Sequence, residues 1–423
     1  MYLQKRGLFP PLIDKNPEND LNLVIVIPCH DEPDLLSSLE ALRECELQPG
    51  STEVIVIINC SVSSSPETKA ANLKTYYKTN AWANKNSIDK LRFYPLLFDD
   101  LPQKHAGVGL ARKIGMDEGV ARFEKAGIVN GIIACFDADS GCTPNYLLSI
   151  YNHFNNNPKI QACSIYFEHP LAGDEFDDNV YAAIASYELH LRYYINAQRY
   201  AGYPFAFQTI GSSMAVRADA YQKQGGMNRR QAGEDFYFLH KFISIGKLDE
   251  LNSTTVFPSP RPSQRVPFGT GKAVDELLHS GNGYQTYNPK IFEDLKLFLQ
   301  QVKELYACET IRHVLGWSKS LPESFTIFLQ NQDFYNKVME IKAHTAGRKT
   351  FTDRLFQWFN AFLLMKYIHF ARDHYYPNIP VDLAAIWLLE TTDKLPVGAK
   401  TDARSLLIEF RRLDRQGLWS PPS

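Results

Sequence analysis

The first half of the chain alternates short apolar runs with segments in which apolar residues recur at helical spacing. Leu35, Leu39 and Leu42 illustrate that spacing after the first run. Because parallel strands need a long crossover connection, usually a helix, the alternation predicts a mostly parallel sheet flanked by helices. The expected fold class is therefore α/β, of the doubly wound, Rossmann-like type. The apolar runs lie at residues 23–28, 53–59, 91–98, 132–139 and 160–167.

The pattern changes beyond about residue 285, where amphipathic helical segments follow one another without strand-like runs. A chain of 423 residues is long enough for one large α/β domain with an added helical part. We therefore predict an N-terminal extension over residues 1–21, an α/β domain over 22–284 and a C-terminal helical region over 285–423.

Composition narrows the class of protein. Charged residues make up 22% of the chain and the formal net charge is −2, so the basic excess typical of nucleic-acid-binding domains is missing. The seven cysteines are odd in number and scattered, which argues against a disulfide framework. The polar, proline-containing N-terminus lacks the apolar core of an export signal. These features predict a cytoplasmic protein that does not bind nucleic acid.

The most apolar stretch of the second half, residues 355–371, is interrupted by Gln357, Asn360, Lys366 and His369. It is too short and too polar to span a bilayer, so we expect a buried helix and no transmembrane segment. Its aromatic side leaves one alternative open, a peripheral contact with a membrane surface.

The fourth apolar run, IIACFDAD, ends in Asp137 and Asp139. Ligands of open α/β sheets bind beyond the carboxyl ends of the strands, which is where this run places the two carboxylates. Side chains at i and i+2 of an extended segment point the same way, so the pair can converge on one divalent cation or on a sugar hydroxyl. An aspartate-rich turn is the alternative reading of such a triplet.

Two further polar clusters follow predicted strands. His30, Asp31 and Glu32 come directly after the first run, where they suit hydrogen bonding to a base or ribose, or capping of the next helix. The loop from Lys104 leads through small residues to Arg112 at a helix start, a setting in which cations meet phosphate.

Two more clusters lie in the second half of the α/β region. Glu234 and Asp235 begin a predicted helix, and favourable interaction with the helix dipole accounts for one of these acids but gives no reason for both. Arg261, Arg265 and Lys272 lie in a proline- and glycine-containing loop. That loop is a candidate cationic lid, with a solvated surface loop as the alternative.

The order of these motifs resembles the family-2 glycosyltransferases of the GT-A fold. The resemblance covers about residues 22–275, through PCHDE, KHAGVGLARKIGMD, CFDAD, a GSS bend and GEDFYF. It implies a nucleotide held by the loop after the first strand and by the segment after the second. It also implies Mg²⁺ or Mn²⁺ held on the donor diphosphate by the DxD triplet, and a catalytic base supplied by the later ED pair.

Carried over motif by motif, the resemblance gives each candidate residue an expected role. Asp235 would be the general base and Glu234 would orient the acceptor, while Asp139, with Asp137, would bind the metal. The acceptor site would include Phe207, Gly211 and Ser212. The donor site would comprise Pro28, His30, Glu32, Asn59, Lys104, Gly109, Arg112, Asp137, Arg265 and Lys272.

The predicted activity is transfer of a single sugar from a UDP- or GDP-linked donor to a carbohydrate or other hydroxyl acceptor, with inversion. No tryptophan follows Gln264 and Arg265, so the QxxRW motif of polymerising synthases is absent. Two alternatives stay open: a sugar-phosphate nucleotidyltransferase, and a non-catalytic carbohydrate- or partner-binding module on a GT-A scaffold.

Overall fold

The computed structural model describes residues 2–264, 269–280 and 283–419. The strands are β1 (Leu21–Cys29), β2 (Ser51–Ser61), β3 (Leu91–Leu101), β4 (Ile132–Cys135), β5 (Gly141–Cys142), β6 (Ala162–Phe167), β7 (Met214–Arg217), β8 (Leu248–Phe257), β9 (Gln285–Thr286) and β10 (Ile379–Pro380). The first nine helices are α1 (Tyr2–Arg6), α2 (Leu35–Arg43), α3 (Pro66–Asn86), α4 (Val108–Ala126), α5 (Tyr146–Asn156), α6 (Asp178–Ala201), α7 (Ala218–Lys223), α8 (Glu234–Ile243) and α9 (Thr270–Ser280). The others are α10 (Pro289–Gln301), α11 (Ile311–Ser318), α12 (Glu323–Asn331), α13 (Phe334–Ala343), α14 (Arg348–Trp358), α15 (Ala361–His374), α16 (Val381–Thr391) and α17 (Ala403–Arg415), with a 3₁₀ helix (Val302–Ala307) after α10.

The chain forms two compact units. The first comprises residues 1–170 and 208–272, and the second comprises 171–207 and 273–423. This division differs from the predicted boundaries, because α6 belongs to the second unit, where it packs against α10, α16 and α17. Strand-like and helical periodicity in the sequence does not indicate which elements a long helix packs against.

An eight-stranded sheet forms the centre of the first unit, with the order β3-β2-β1-β4-β7-β6-β8-β5. The pairs β1–β2, β1–β4, β2–β3 and β6–β8 are parallel, whereas β7 is antiparallel to both of its neighbours and β5 is antiparallel to β8. The predicted fold class is confirmed: a mostly parallel sheet flanked by helices, followed by a helical C-terminal region. This arrangement is consistent with a GT-A-type fold.

The central strands are buried along almost their whole length because helices cover both faces of the sheet. In β2 every residue except the last is buried, and β4 is buried throughout. A strand buried on both sides loses the alternation of apolar and polar residues, which explains the continuous apolar runs in the sequence. Strand β7 begins directly after the GSS bend of residues 211–213.

Helix α4 packs unusually close to the sheet. Residues 109–123 are all buried, and Gly115 lies so near β1 that a Cβ atom there would come within 2.4 Å of Val26 Cγ1. The N-terminal segment covers another side of α4, since the Leu12 and Ile13 N–H groups donate to Glu118 at 2.8 and 3.2 Å. The predicted N-terminal extension is thus an integral part of the first unit.

The second unit is built almost entirely of helices around one aromatic-rich core. Buried side chains such as Tyr193, Phe298, Phe325 and Tyr367 belong to that core. The apolar stretch 355–371 contributes to it as parts of α14 and α15, which are separated at Phe359 and Asn360. No helix in the part of the chain that the structure describes is long and apolar enough to cross a membrane.

Candidate active site

The loops after β1 and β4 meet at one edge of the sheet. The two strands are parallel neighbours, with Val26 opposite Cys135, and the Phe136 N–H donates to the Val26 carbonyl at 3.0 Å. The carboxyl ends of the two strands therefore lie side by side. This register brings the loop that carries Glu32 next to the loop that carries Asp139.

Arg112 joins two of the predicted motifs. Its guanidinium, only 4% exposed, donates from Nη2 to Asp137 Oδ1 at 2.5 Å and from Nη1 to Glu234 Oε1. Burial alone lowers the pKa of Arg112, but the Asp137 and Glu234 carboxylates outweigh it, so its pKa is raised. Gly211 lies against the guanidinium, where a Cβ atom would come within 2.4 Å of Nη1. Arg112 thus connects the DxD loop with the start of α8.

Asp235 is the second acid of the ED pair and differs from Glu234 in its electrostatic surroundings. Burial, followed by repulsion from the adjacent Glu234, raises the pKa of Asp235 to about 7, although Arg112 opposes the change. Asp235 Oδ1 also accepts from the Phe236 N–H at 2.7 Å. A carboxylate with a pKa near 7 suits general base catalysis at neutral pH, because it is both available and basic enough to take a proton.

Arg261 links the loop after β1 to the DxD loop from the opposite side. It lies in the segment after β8 and donates to both carboxylate oxygens of Glu32, at 3.0 Å from Nη1 to Oε1. Its Nη2 also lies 3.4 Å from Asp139 Oδ2. A two-pronged arginine–carboxylate contact fixes both position and orientation, so Glu32 is held in place next to Asp139.

The loop after β1 contains a strained backbone position. Asp31 has a φ of 50°, which is uncommon for a residue other than glycine. The buried Asn72 side chain stabilises this conformation by accepting from the Asp31 N–H at 2.9 Å and donating to the Asn59 carbonyl at 3.0 Å. The same carbonyl lies 2.7 Å from His30 Nδ1. Strain of this kind is often found at functional sites, where the surrounding structure maintains it.

Asp137 and Asp139 fit the requirements of Mg²⁺ or Mn²⁺ bound together with a diphosphate. Their side chains are 35% and 33% exposed. Within residues 2–264, 269–280 and 283–419, no group of three or more His, Cys, Asp or Glu side chains is placed to hold a metal by itself. Mg²⁺ commonly binds through one or two carboxylates, with phosphate oxygens and water as its other ligands. Two carboxylates at a solvent-facing edge match that pattern.

The other predicted donor residues differ in their exposure. Lys104 is exposed in the loop before α4, and Lys272 is half-buried in the first turn of α9. Gly109 is buried beside the start of α8, since a Cβ atom there would come within 2.3 Å of the Arg230 carbonyl oxygen and 3.0 Å of Glu234 Cβ. Pro28 is half-buried within β1. The prediction for Arg265 concerns a residue outside the described part of the chain.

The predicted acceptor residues divide between the two units. Gly211 and Ser212 belong to the first unit, and Ser212 is only 2% exposed. Phe207 is half-buried and belongs to the second unit. The structure brings Gly211 to Arg112, while the acceptor roles of all three residues stay predictions.

Two residues with a clear structural role were not assigned to the site from the sequence. Arg261 was noticed only as part of a cationic loop, and its partner Glu32 is 229 residues away along the chain. Asn72 gave no recognisable signal, because an asparagine inside a polar helix usually faces solvent. Its contact with Asp31 depends on the packing of α3 beside the loop after β1.

Comparisons with known proteins give only a distant structural likeness. No protein-family model matches the chain, and no curated protein does. Residues 1–349 of S. aureus TarS in complex with UDP-GlcNAc are similar at 12% identity and a TM-score of 0.40, covering 77% of this chain and 92% of that one. Structures of TarS 1–349 alone and in complex with UDP are similar at 11% identity and a TM-score of 0.37, covering 94% of this chain and 92% of that one. Likeness at this level carries no functional assignment, which therefore depends on the residues themselves.

Proposed function

We propose that this protein is a metal-dependent glycosyltransferase that moves one sugar from a UDP- or GDP-linked donor to an acceptor hydroxyl with inversion. One observation carries the proposal: Arg112 contacts both Asp137 of the DxD triplet and Glu234, the neighbour of Asp235. The residues suited to bind a donor and the residue suited to act as a base therefore belong to one connected cluster. The resemblance in motif order supports the same assignment.

The donor would bind along the carboxyl ends of β1 and β4. Glu32, oriented by Arg261, would accept hydrogen bonds from the base or ribose. Asp139 and Asp137 would hold Mg²⁺ or Mn²⁺, which supplies positive charge for the diphosphate as it departs. Arg261 is close enough to Asp139 to add further positive charge on the same side.

Asp235 would act on the opposite side of the sugar. The acceptor hydroxyl oxygen attacks the anomeric carbon while Asp235 removes the hydroxyl proton. The bond between the anomeric carbon and the diphosphate oxygen breaks, and the diphosphate leaves with the electron pair. A single displacement of this kind inverts the anomeric centre and requires one base.

The proposal can be tested by thermal denaturation in the presence of nucleotide sugars. UDP-, GDP-, dTDP- and CDP-sugars would each be added with and without Mn²⁺, because a ligand that binds only the folded state raises its melting temperature. We expect a Mn²⁺-dependent increase with one UDP- or GDP-linked donor. No shift with any donor would contradict the proposal and favour a non-catalytic binding module.

Two variants separate metal binding from catalysis. Asp139→Asn should lose the Mn²⁺-dependent shift, whereas Asp235→Asn should keep it and lose donor turnover. Asp174→Asn, at an exposed aspartate of the second unit, is the matched control and should behave like the wild type. Equal Mn²⁺-dependent donor affinity in Asp139→Asn and the wild type would overturn the metal assignment. Release of pyrophosphate from UTP or GTP with a sugar phosphate would instead indicate a nucleotidyltransferase.

A further inference from the structure

Two cysteines far apart in the sequence lie close together in the first unit. Cys45 follows α2 and Cys142 is the last residue of β5, and their Sγ atoms are 3.6 Å apart across a sequence separation of 97 residues. All seven cysteines of the chain are free thiols. A disulfide has an S–S distance of about 2.05 Å, so the two sulfur atoms need to approach by only about 1.5 Å to be joined.

The surroundings of Cys45 favour its reactive form. The thiolate is the nucleophile, and a helix N-terminus stabilises it. Hydrogen bonding with the Cys142 thiol lowers the pKa of Cys45, burial opposes this effect, and the backbone N–H groups of Leu147 and Tyr146 at the start of α5 lower it further. The same contact raises the pKa of Cys142. These backbone N–H groups act on Cys45, so we take Cys45 as the nucleophile of the pair.

The pair can be reached and can adjust its position. Cys45 is only 6% exposed, but Cys142 is half-buried and provides a route for a small oxidant. Cys142 belongs to a two-residue strand that forms the last position of the sheet, paired with β8 alone. A short edge strand shifts more easily than a central one, because it has hydrogen bonds on one side only.

Two other cysteines of the first unit lie in settings that disfavour reaction. Cys135 and Cys163 are fully buried in β4 and β6. Burial also raises the pKa of Cys163. A fully buried thiol is shielded from an oxidant, so oxidation should select Cys45 over these two residues.

The pair joins the segment after α2 to β5, the short strand that follows the DxD loop. Helix α2 directly follows the loop that contains Glu32, and Cys142 lies three residues after Asp139. One hydrogen bond already joins the same segments, from Ser38 Oγ in α2 to the Ala138 carbonyl at 2.9 Å. A covalent bond here would fix the DxD loop to α2.

We propose that Cys45 and Cys142 are an oxidation site, at which hydrogen peroxide produces a reversible disulfide that fixes the loop of Asp137–Asp139 to α2. The Cys45 thiolate attacks one peroxide oxygen, the O–O bond breaks, and the leaving hydroxide takes up a proton to become water. The Cys142 sulfur then attacks the resulting sulfenic acid, the S–O bond breaks, and the hydroxyl leaves as water with the Cys142 proton. The two thiols are oxidised by two electrons, and one peroxide is reduced to two waters.

Mass spectrometry of the full-length protein tests the bond directly. Protein reduced with dithiothreitol and freed of it would be exposed to a small molar excess of peroxide, denatured and alkylated with N-ethylmaleimide. We expect seven adducts before oxidation and five afterwards, because two of the seven thiols are consumed. Peptide mapping should locate the crosslink at Cys45 and Cys142, and renewed reduction should restore all seven adducts.

Three variants sharpen the measurement. Cys142→Ser should form no crosslink and should instead accumulate a Cys45 sulfenic acid that dimedone captures. Cys45→Ala should leave Cys142 unoxidised at the same peroxide dose. Cys308→Ser, in the second unit, is the matched control and should still form the crosslink. Seven adducts after peroxide treatment of the wild type, or consumption of other cysteines, would overturn the proposal.

Hydrogen exchange tests the effect on the loop without any substrate. Amides of residues 136–146 should exchange more slowly in the oxidised wild type than in the reduced protein, and the oxidised control should show the same protection. Equal exchange in the two states would overturn the inference that the disulfide fixes the loop. Neither measurement depends on nucleotide-sugar binding, so its outcome is independent of the proposed transferase activity.

Discussion

Two buried arginines, one in each unit, occupy charge clusters that differ in composition. Arg192 of α6 donates to Glu188 at 2.8 Å and also contacts Asp414, while Arg411 donates to both oxygens of Glu188 at 2.8 and 2.6 Å. Asn196 donates to the other oxygen of Asp414 at 2.9 Å. In this cluster two arginines meet two carboxylates, and every carboxylate oxygen accepts a hydrogen bond.

The cluster around Arg112 contains more acid than this arginine neutralises. Arg112 contacts Glu234 and Asp137, while Asp235 beside them has a pKa of about 7. The Asp137 side chain is 35% exposed, whereas that of Glu188 is fully buried. Removing one partner from a buried, charge-matched cluster is strongly destabilising, whereas a strongly perturbed acid beside a partly exposed one indicates a functional site. Substitutions in the Arg192 cluster should therefore affect stability, and substitutions in the Arg112 cluster should affect activity.

The largest effect is expected from Asp235→Asn, which removes the proposed base. Donor turnover should fall by roughly three orders of magnitude, or about 4 kcal/mol of activation free energy, because a positioned base contributes on the order of 10²–10⁴. The measurement is the steady-state rate with the donor identified by thermal denaturation, with Asp174→Asn as the control. A rate within tenfold of the wild type would exclude Asp235 as the base.

The same substitution should raise stability at alkaline pH. Folding raises the pKa of Asp235 from 3.8 to about 7, so the folded state favours the protonated form and loses stability as the pH rises through about 7. Asn resembles the protonated acid. Melting temperatures of the variant should therefore exceed those of the wild type at pH 8, and the difference should close below about pH 4.

Glu188→Gln tests the matched cluster of the second unit. Removing one buried charge leaves Arg192 and Arg411 without an ionised partner at that position, which should cost roughly 3 kcal/mol of unfolding free energy. Urea denaturation measures the loss, and Mn²⁺-dependent donor binding should be unchanged in the folded variant. A loss below about 1 kcal/mol would mean that this cluster does not stabilise the unit as its burial suggests.

Arg261→Ala should weaken donor binding by about tenfold, or about 1.4 kcal/mol. The substitution releases Glu32 and leaves it beside Asp139 without the cation that contacts both. Repulsion between these carboxylates and a diphosphate then increases. Arg312→Ala, at an exposed arginine of the second unit, is the control for titrations with the donor. Unchanged affinity would show that Arg261 does not shape the donor site.

The smallest effect is expected from Glu234→Gln on the pH dependence of turnover. Activity of the wild type should be lost as the pH falls through about 7, because the base must be ionised. Removing the negative charge of Glu234 lowers the pKa of Asp235, so this limb of the profile should move to lower pH. The shift should be less than about one pH unit, since burial is the larger cause and is retained. A shift to higher pH would contradict the assigned repulsion.

The sequence allowed the position of the candidate site residues in the sheet to be predicted but not their electrostatic contacts. Asp137 and Asp139 could be assigned to the edge of the sheet because the continuous apolar run before them indicates a buried strand, and neighbouring residues alone show that pattern. The contacts of Arg112 with Glu234 and of Arg261 with Glu32 span 122 and 229 residues, and no local pattern encodes them. Arg112 was expected to meet phosphate; the structure shows it between two carboxylates, and its role towards a donor stays a prediction.

Local sequence patterns also could not predict how the chain divides into two units. Helix α6 has the same kind of periodicity as helices of the first unit, and only its partners assign it to the second. The strand β7 is antiparallel to both neighbours, a detail that the predicted, mostly parallel sheet did not specify. Strand direction depends on the path of the chain between strands, which residue patterns describe poorly.

The close approach of α4 to β1 has a consequence for how this protein tolerates mutation. A methyl group at Gly115 would collide with Val26, one helical turn after the arginine that joins the two motifs. Relief of that collision would move the helix away from the sheet and carry Arg112 with it, while the rest of the domain could remain folded. In a library of random variants, replacements at Gly115 should therefore appear among well-expressed, inactive proteins whose defect lies outside the site itself.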